Sequence, residues 1–136
     1  MEEKKQRLVE EFMALVQIDS ATRDERKIAD VLRDKLKALG AVVQEDAAGE
    51  VIGGTAGNLL AKLSGSKEGP PLLLCAHMDR VTPGLGIRPQ IRDDVVYSDG
   101  TTILAADDVA GLTAILEGVR RAKENQEPMY PLEILF

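Results

Sequence analysis

The sequence predicts an α/β fold, and three observations point to that class. An unbroken apolar run, 72–76, stands between two prolines and a Thr-Pro-Gly turn, which is typical of a strand buried on both faces of a sheet. Amphipathic helical patterns lie on both sides of this run. The chain has 136 residues, 44% of them hydrophobic, which is enough for one core. With only 3% aromatic residues, that core must be aliphatic.

The first half of the chain alternates helical and strand patterns. Residues 4–17 predict a helix with apolar side chains on one face. Thr22 and Glu25 fit a capping box at the start of a second helix, which Gly40 should end at its C′ position. Residues 41–45 and 58–63 predict strands. Between them, 47–57 contains four glycines and predicts a loop.

The second half places polar side chains at element ends. Residues 90–92 and 95–97 predict a small hairpin. Asp107 and Asp108 stand where a loop should enter a third helix that runs to about Lys123. Residues 130–136 predict a strand, and the chain stops inside it. No signal of a domain linker occurs, so we expect one truncated domain over 1–136.

Composition excludes some classes of partner. The net charge of −6 and the pI near 4.8 argue against nucleic acid and against anionic membrane surfaces. Cys75 is the sole cysteine, so no intrachain disulfide can form. The N-terminus is densely charged, and no apolar run approaches the ~20 residues of a membrane span. We therefore expect a cytoplasmic protein.

His77 and Asp79 follow the apolar strand directly, at the edge of an α/β sheet where ligands collect. His77 is the only histidine in the chain. A carboxylate beside an imidazole fixes its tautomer, as around many metal-bound histidines. The alternative is a hydrogen-bonded structural histidine at a strand end, and these two residues alone leave both interpretations open.

Asp107 and Asp108 have a simple alternative explanation, because aspartate at a helix start caps free amides and complements the helix dipole. However, adjacent acids flanked by alanines would repel each other unless a cation or a donor lies between them. Together with His77 they would offer oxygen and nitrogen ligands that suit zinc, manganese or cobalt.

Cys75 and Arg80 each permit a functional interpretation and an alternative without function. Cys75 could be a zinc ligand or a nucleophile, but its place within the predicted strand favours a buried, hydrophobic role. Arg80 could bind a substrate carboxylate, and the sequence slightly favours a solvated surface charge instead.

These motifs in their order resemble a known family. Gly57-Asn58-Leu59, the segment 71–79 and the segment 98–108 are similar to the peptidase T branch of the dizinc metallopeptidases. That superfamily also contains acetylornithine deacetylases and succinyl-diaminopimelate desuccinylases. The resemblance implies the N-terminal part of a catalytic α/β domain, with a central mixed, largely parallel sheet flanked by helices.

The resemblance also implies roles for three residues. His77 and Asp107 would be metal ligands, with Asp107 bridging two zinc ions, and Asp79 would be the catalytic residue that orients His77. The general base and the remaining ligands would lie beyond Phe136. Two departures stand out: the family usually has threonine where this chain has Arg80, and lysine where it has Val109.

The function we predict is a two-zinc aminopeptidase that acts on short peptides, tripeptidase-like, with these 136 residues inactive alone. Manganese or cobalt could replace zinc. An amide-hydrolysing deacylase of the superfamily and a non-catalytic protein keeping the fold stay open, as does a homodimer for the full-length protein. No nucleic-acid or membrane partner is expected.

The resemblance makes two structural predictions. The peptide bond between Asp107 and Asp108 should be cis. Asp79 should lie within hydrogen-bonding reach of one His77 ring nitrogen, while the other nitrogen faces Asp107 across a gap the size of a metal ion.

Overall fold

The computed structural model describes residues 2–136 and confirms the α/β class, with a mixed sheet and helices packed on it. Its helices are α1 (Glu2–Val16), α2 (Arg26–Ala38), α3 (Ala48–Ile52) and α4 (Ala106–Glu124). Its strands are β1 (Val42–Glu45), β2 (Leu59–Leu63), β3 (Leu72–Cys75), β4 (Gln90–Arg92), β5 (Val95–Tyr97) and β6 (Leu132–Leu135). None of the described helices is both long and apolar enough to cross a membrane.

Four strands form the main sheet, in the order β1-β2-β6-β3. β1 pairs with β2, and β2 with β6, in antiparallel fashion. Only β3 and β6 run parallel, with Cys75 opposite Leu135. The sheet is therefore mixed as predicted, but within the described residues parallel pairing does not predominate. β4 and β5 form the predicted hairpin apart from this sheet.

One face of the main sheet carries the hydrophobic core. The strand registers place Ala61, Ile134 and Leu74 side by side on that face, where they join the buried residues of the helices. α2 lies against β1 and β2, and α1 lies against α4. The opposite face is open, because Leu73 is 56% exposed and Val42 is 70% exposed.

The predicted burial of the 72–76 strand on both faces is therefore wrong. β3 is an edge strand of the described sheet, and Leu72 at its start is 55% exposed. Cys75 projects with Leu73 from the open face, since side chains alternate along a strand, and it is exposed rather than buried. An apolar run identifies a strand but does not say which neighbours cover it.

Two local predictions around α2 have opposite outcomes. The capping box is wrong, because the N-cap residue of α2 is Glu25, whose side chain caps no amide of the helix and instead accepts from the Arg23 amide at 2.6 Å. Gly40 follows α2 at the predicted place, with a φ of +86° that a residue with a Cβ rarely adopts.

The glycine-rich segment 47–57 is not wholly a loop, since it contains the short helix α3.

Candidate functional site

The candidate site lies where β3 ends and α4 begins. The backbone amide of Ala76 still donates to the Leu135 carbonyl oxygen at 3.1 Å, which fixes the end of β3 against β6. His77 follows at once, so its side chain emerges at the carboxyl edge of two parallel strands. The N-terminal end of α4 brings Asp107 to the same place, although the two residues are 30 positions apart.

His77 lies between two aspartates. Its Nδ1 is 3.1 Å from Asp79 Oδ1 and 3.0 Å from the Asp79 carbonyl oxygen. Its Nε2 is 2.8 Å from Asp107 Oδ1. Because the carbonyl oxygen of Asp79 can only accept, Nδ1 carries a proton. Without a bound cation, the 2.8 Å contact of Nε2 with the Asp107 carboxylate requires a proton on Nε2 as well.

The charge state of His77 reflects these neighbours. Partial burial by itself would lower the pKa of the imidazole. The hydrogen bond with the Asp107 carboxylate and the contacts with Asp79 outweigh it and raise the pKa above its ordinary value of 6.5. Without a bound cation, the two carboxylates therefore favour a protonated ring.

The backbone at the start of α4 is irregular, and the Asp107–Asp108 peptide bond is cis as predicted. Asp107 and Asp108 both have non-helical φ and ψ angles. Asp108 Oδ1 accepts from the Gly111 amide at 3.2 Å, so the capping interpretation holds for this residue. Asp107 makes no such cap, and its side chain is 94% exposed and directed at His77.

The donor set tests whether a metal ion fits here. An imidazole nitrogen and a carboxylate oxygen are ordinary zinc ligands, and on one tetrahedral zinc they would stand roughly 3.3–3.5 Å apart. His77 Nε2 and Asp107 Oδ1 are in direct contact at 2.8 Å, without the predicted gap, so a small outward rotation of the exposed Asp107 would admit an ion. The pair fits as part of a metal site. No group of three or more potential ligands occurs among residues 2–136.

The surroundings of Asp79 reveal a residue that the sequence did not identify as part of the site. Thr22, in the turn between α1 and α2, donates its hydroxyl proton to Asp79 Oδ2 at 2.6 Å. The sequence assigned Thr22 to a helix cap, and no local pattern could have linked it to a residue 57 positions away.

Arg80 is neither a substrate clamp nor a solvated charge. Only 3% of the residue is exposed, and its guanidinium donates to Ser20 Oγ at 3.0 Å and to the Val16 carbonyl oxygen at 2.7 Å. Burial lowers the pKa of the guanidinium from its ordinary value, while Asp19 acts in the opposite direction. Val109, the other departure from the family pattern, is 3% exposed and belongs to the core.

A cavity of about 450 Å³ adjoins the site on one side. Its polar lining includes His77, Asp79 and Asp108 together with Glu25 and Asn58, and its apolar lining includes Ile52 and Leu135. Cys75 also lines it. The volume lies within the range of ordinary small-molecule pockets.

Sequence comparisons relate the chain to known proteins. No family model matches the chain. The uncharacterized protein YqjE of Bacillus subtilis is 47% identical over 118 residues, which is 87% of this chain and 32% of that protein. A peptidase T of Bacillus cereus is 26% identical over an alignment that covers 90% of this chain and 39% of that protein.

Solved structures match more completely. Aminopeptidase PepT from Bacillus cereus superposes with a TM-score of 0.92 at 46% identity, covering 96% of this chain and 35% of that one. A tripeptidase from Staphylococcus aureus gives a TM-score of 0.92 at 44% identity, again covering 96% and 35%. The chain thus spans about a third of the length of the proteins it matches. In sequence and in fold, this chain is peptidase T-like, as its motifs predicted.

Proposed function

We propose that this chain is the N-terminal part of the catalytic domain of a metal-dependent aminopeptidase that cleaves short peptides, tripeptidase-like. The observation that carries this proposal is the contact series Asp79–His77–Asp107, at 3.1 and 2.8 Å. The 46% identity with the solved aminopeptidase PepT supports it, since the same fold surrounds the series.

Each residue of the series has a distinct task in this proposal. His77 and Asp107 would hold the metal, with zinc as the first choice and manganese or cobalt as substitutes. A pair of bound ions would supply a polarised substrate carbonyl and an activated water. With a metal on Nε2, the hydrogen bond from His77 Nδ1 to Asp79 would fix the ring so that the Nε2 lone pair is available to that metal.

The two other candidate functions differ in their support. A deacylase of the same superfamily would use the same three residues, so the site does not discriminate against it. Arg80 and Val109 depart from the family pattern and so support a non-catalytic protein, but both side chains are buried, Arg80 in hydrogen bonds and Val109 in the core. Their identity therefore needs no loss of catalysis to explain it.

A substrate screen of the full-length protein separates peptidase from deacylase. We expect hydrolysis of tripeptides and not of N-acyl amino acids. Exclusive turnover of the acylated set would overturn the peptidase assignment, and turnover of neither set with any of the three metals would favour the non-catalytic protein. Fractionation of cells that express the full-length protein, which we place in the cytoplasm, would test its location.

Metal binding can be tested on the 136-residue chain itself. Competition with a chromophoric chelator would measure zinc affinity for the chain and for His77→Ala and Asp107→Ala. We expect each substitution to weaken zinc binding at least about tenfold. Asp94→Ala is the matched control, because Asp94 has an 88% exposed side chain and lies on the hairpin. Equal affinity in all four proteins would exclude the proposed ligands.

A further inference from the structure

Asp79 uses both of its carboxylate oxygens, and each has a different partner. Oδ1 lies 3.1 Å from His77 Nδ1, and Oδ2 accepts the Thr22 hydroxyl proton at 2.6 Å. A carboxylate with one partner can rotate about its side-chain torsions. A second, short hydrogen bond from a different segment restricts that rotation and keeps Oδ1 on the imidazole.

The turn that carries Thr22 is itself fixed. The Asp24 amide donates to the Ala21 carbonyl oxygen at 2.7 Å and closes the turn around Thr22. Ala21 forms a parallel β-bridge with Arg80, and the Arg80 amide donates to the Ser20 carbonyl oxygen at 3.1 Å. The segment that carries Thr22 is therefore attached to Arg80, the residue that follows Asp79.

The buried side chain of Arg80 strengthens the same attachment. Its guanidinium bonds to Ser20 Oγ and to the Val16 carbonyl oxygen, so it links the segment after Asp79 to the end of α1 and the residues that precede the turn. The backbone on both sides of the Thr22–Asp79 contact is thereby held, which keeps the Thr22 hydroxyl within reach of the Asp79 carboxylate.

We propose that Thr22 is a positioning residue: through its hydrogen bond to Asp79 it fixes the carboxylate that orients His77. Its importance for metal binding rests on the proposed function, whereas its effect on the His77 ring does not. Because Thr22 is one contact further out than Asp79, its loss should weaken metal affinity less than the roughly 10–100-fold typical of a direct partner of a ligand.

A double-mutant cycle tests this role. Zinc affinity is measured for the 136-residue chain and for Thr22→Val, Asp79→Ala and the double variant. Thr22→Val keeps the side-chain shape and removes the donor. We expect it to weaken zinc binding roughly three- to tenfold, and Asp79→Ala roughly 10–100-fold. The double variant should match Asp79→Ala within about twofold, because Thr22 acts only through Asp79.

Two further variants serve as controls. Thr22→Ser retains the hydroxyl and should restore wild-type affinity. Thr101→Val removes a comparable hydrogen bond, which Thr101 Oγ1 donates to Asp99 at 2.5 Å, and should leave affinity unchanged. Urea unfolding of each variant confirms that it is folded. An unchanged affinity in Thr22→Val, or a full additional loss in the double variant, would overturn the proposal.

A second readout separates this inference from the proposed function. If His77→Ala does not alter zinc affinity, the proposed metal site is wrong. The positioning role of Thr22 is then tested on the His77 ring directly, without metal. His77 is the sole histidine, so its ring nitrogen resonances in a long-range ¹H–¹⁵N spectrum are unambiguous. Thr22→Val should displace them in the presence of Asp79 and not in the Asp79→Ala background. Resonances that do not move would overturn the positioning role.

Discussion

The guanidinium of Arg80 donates to the Val16 carbonyl oxygen at 2.7 Å, which attaches the end of β3 and its following loop to the last turn of α1. The carbonyl groups at a helix C-terminus lack intrahelical partners and carry partial negative charge. A buried cation at that point satisfies them and complements the helix dipole. Arg80 is therefore a buried structural residue, and it directly follows Asp79 in the chain.

Replacement of Arg80 by methionine should destabilise the chain. The substitution leaves the Val16 carbonyl oxygen and Ser20 Oγ without their donor inside the protein, at a cost of about 2–4 kcal/mol in the free energy of unfolding. Urea unfolding at neutral pH measures the loss. Arg88→Met is the control, because Arg88 has a 73% exposed side chain and an ion pair with Asp99, and it should change stability by less than about 1 kcal/mol. Equal losses in both variants would contradict the structural role of Arg80.

The sequence could predict Arg80's position after the strand but not its partners. Helical and strand periodicity is local, so α1, α2, β1, β2 and α4 were predicted close to their observed bounds. The contacts of Arg80 with Ser20 span 60 positions and depend on how the elements pack. The same limit applies to Thr22, whose local spacing to Glu25 suggested a cap that the fold does not use.

Of the site itself, the motif order predicted which residues meet. His77, Asp79 and Asp107 lie together because β3 ends and α4 begins at one edge of the sheet, as expected for an α/β fold. The exposure of β3 was not predictable, because an apolar run does not indicate whether its strand lies at the edge or in the middle of a sheet. Whether His77 and Asp107 bind a metal stays a prediction.

A network of ion pairs around Glu117, which is 2% exposed, joins α1 to α4. Its carboxylate accepts from Arg7 at 2.7 Å, from Arg120 at 2.7 Å and from Arg121 at 2.8 Å. Burial alone would raise the pKa of Glu117, but the three arginines outweigh burial and lower the pKa to about 2 from an ordinary 4.5. The pair of helices is thus held by a carboxylate that must stay ionised.

Acid should destabilise the chain through Glu117. Its folded pKa lies below its unfolded pKa, so its contribution is complete above pH 4.5 and is lost as the pH falls toward 2. The shift corresponds to a loss on the order of 3 kcal/mol. Urea unfolding at several pH values between 7 and 2 measures it.

Glu117→Gln should be less stable than the wild type at pH 7, because three arginines lose this carboxylate as an acceptor, and its stability should fall less steeply below pH 4.5. Glu68→Gln, at an exposed position, should follow the wild-type curve. An unchanged acid slope in Glu117→Gln would show that other carboxyl groups control acid unfolding.

Cys75 should react in the native chain. It is exposed at the end of the edge strand β3, so a thiol reagent such as Ellman's reagent can reach it without unfolding. We expect one thiol per chain to react at a rate close to that of the urea-unfolded chain. Cys75→Ser provides the blank. A native rate lower by a factor of 100 or more would mean that the open face of the sheet is covered in solution, for example by a second copy of the chain.

The proposed metal site also limits what these residues can do alone. A catalytic zinc usually has three protein ligands, and within residues 2–136 the fold brings only His77 and Asp107 together as candidates. The resemblance assigns no residue of this chain as the general base, a group worth typically ~10²–10⁴ in rate. The chain corresponds to about a third of the solved aminopeptidase.

We therefore predict that the 136-residue chain takes up zinc weakly and does not hydrolyse tripeptides. Asp107 would have to bridge two ions that have few other protein ligands, so neither ion is held firmly enough to fix a water beside a substrate carbonyl. The assay compares the purified chain with the full-length protein at equal concentration, in excess zinc, manganese or cobalt. The full-length protein should turn over the peptides, and His77→Ala in that protein should abolish turnover. Hydrolysis by the 136-residue chain that a chelator stops and His77→Ala removes would mean that these residues hold a complete catalytic site, with a base and further ligands that the described contacts do not reveal.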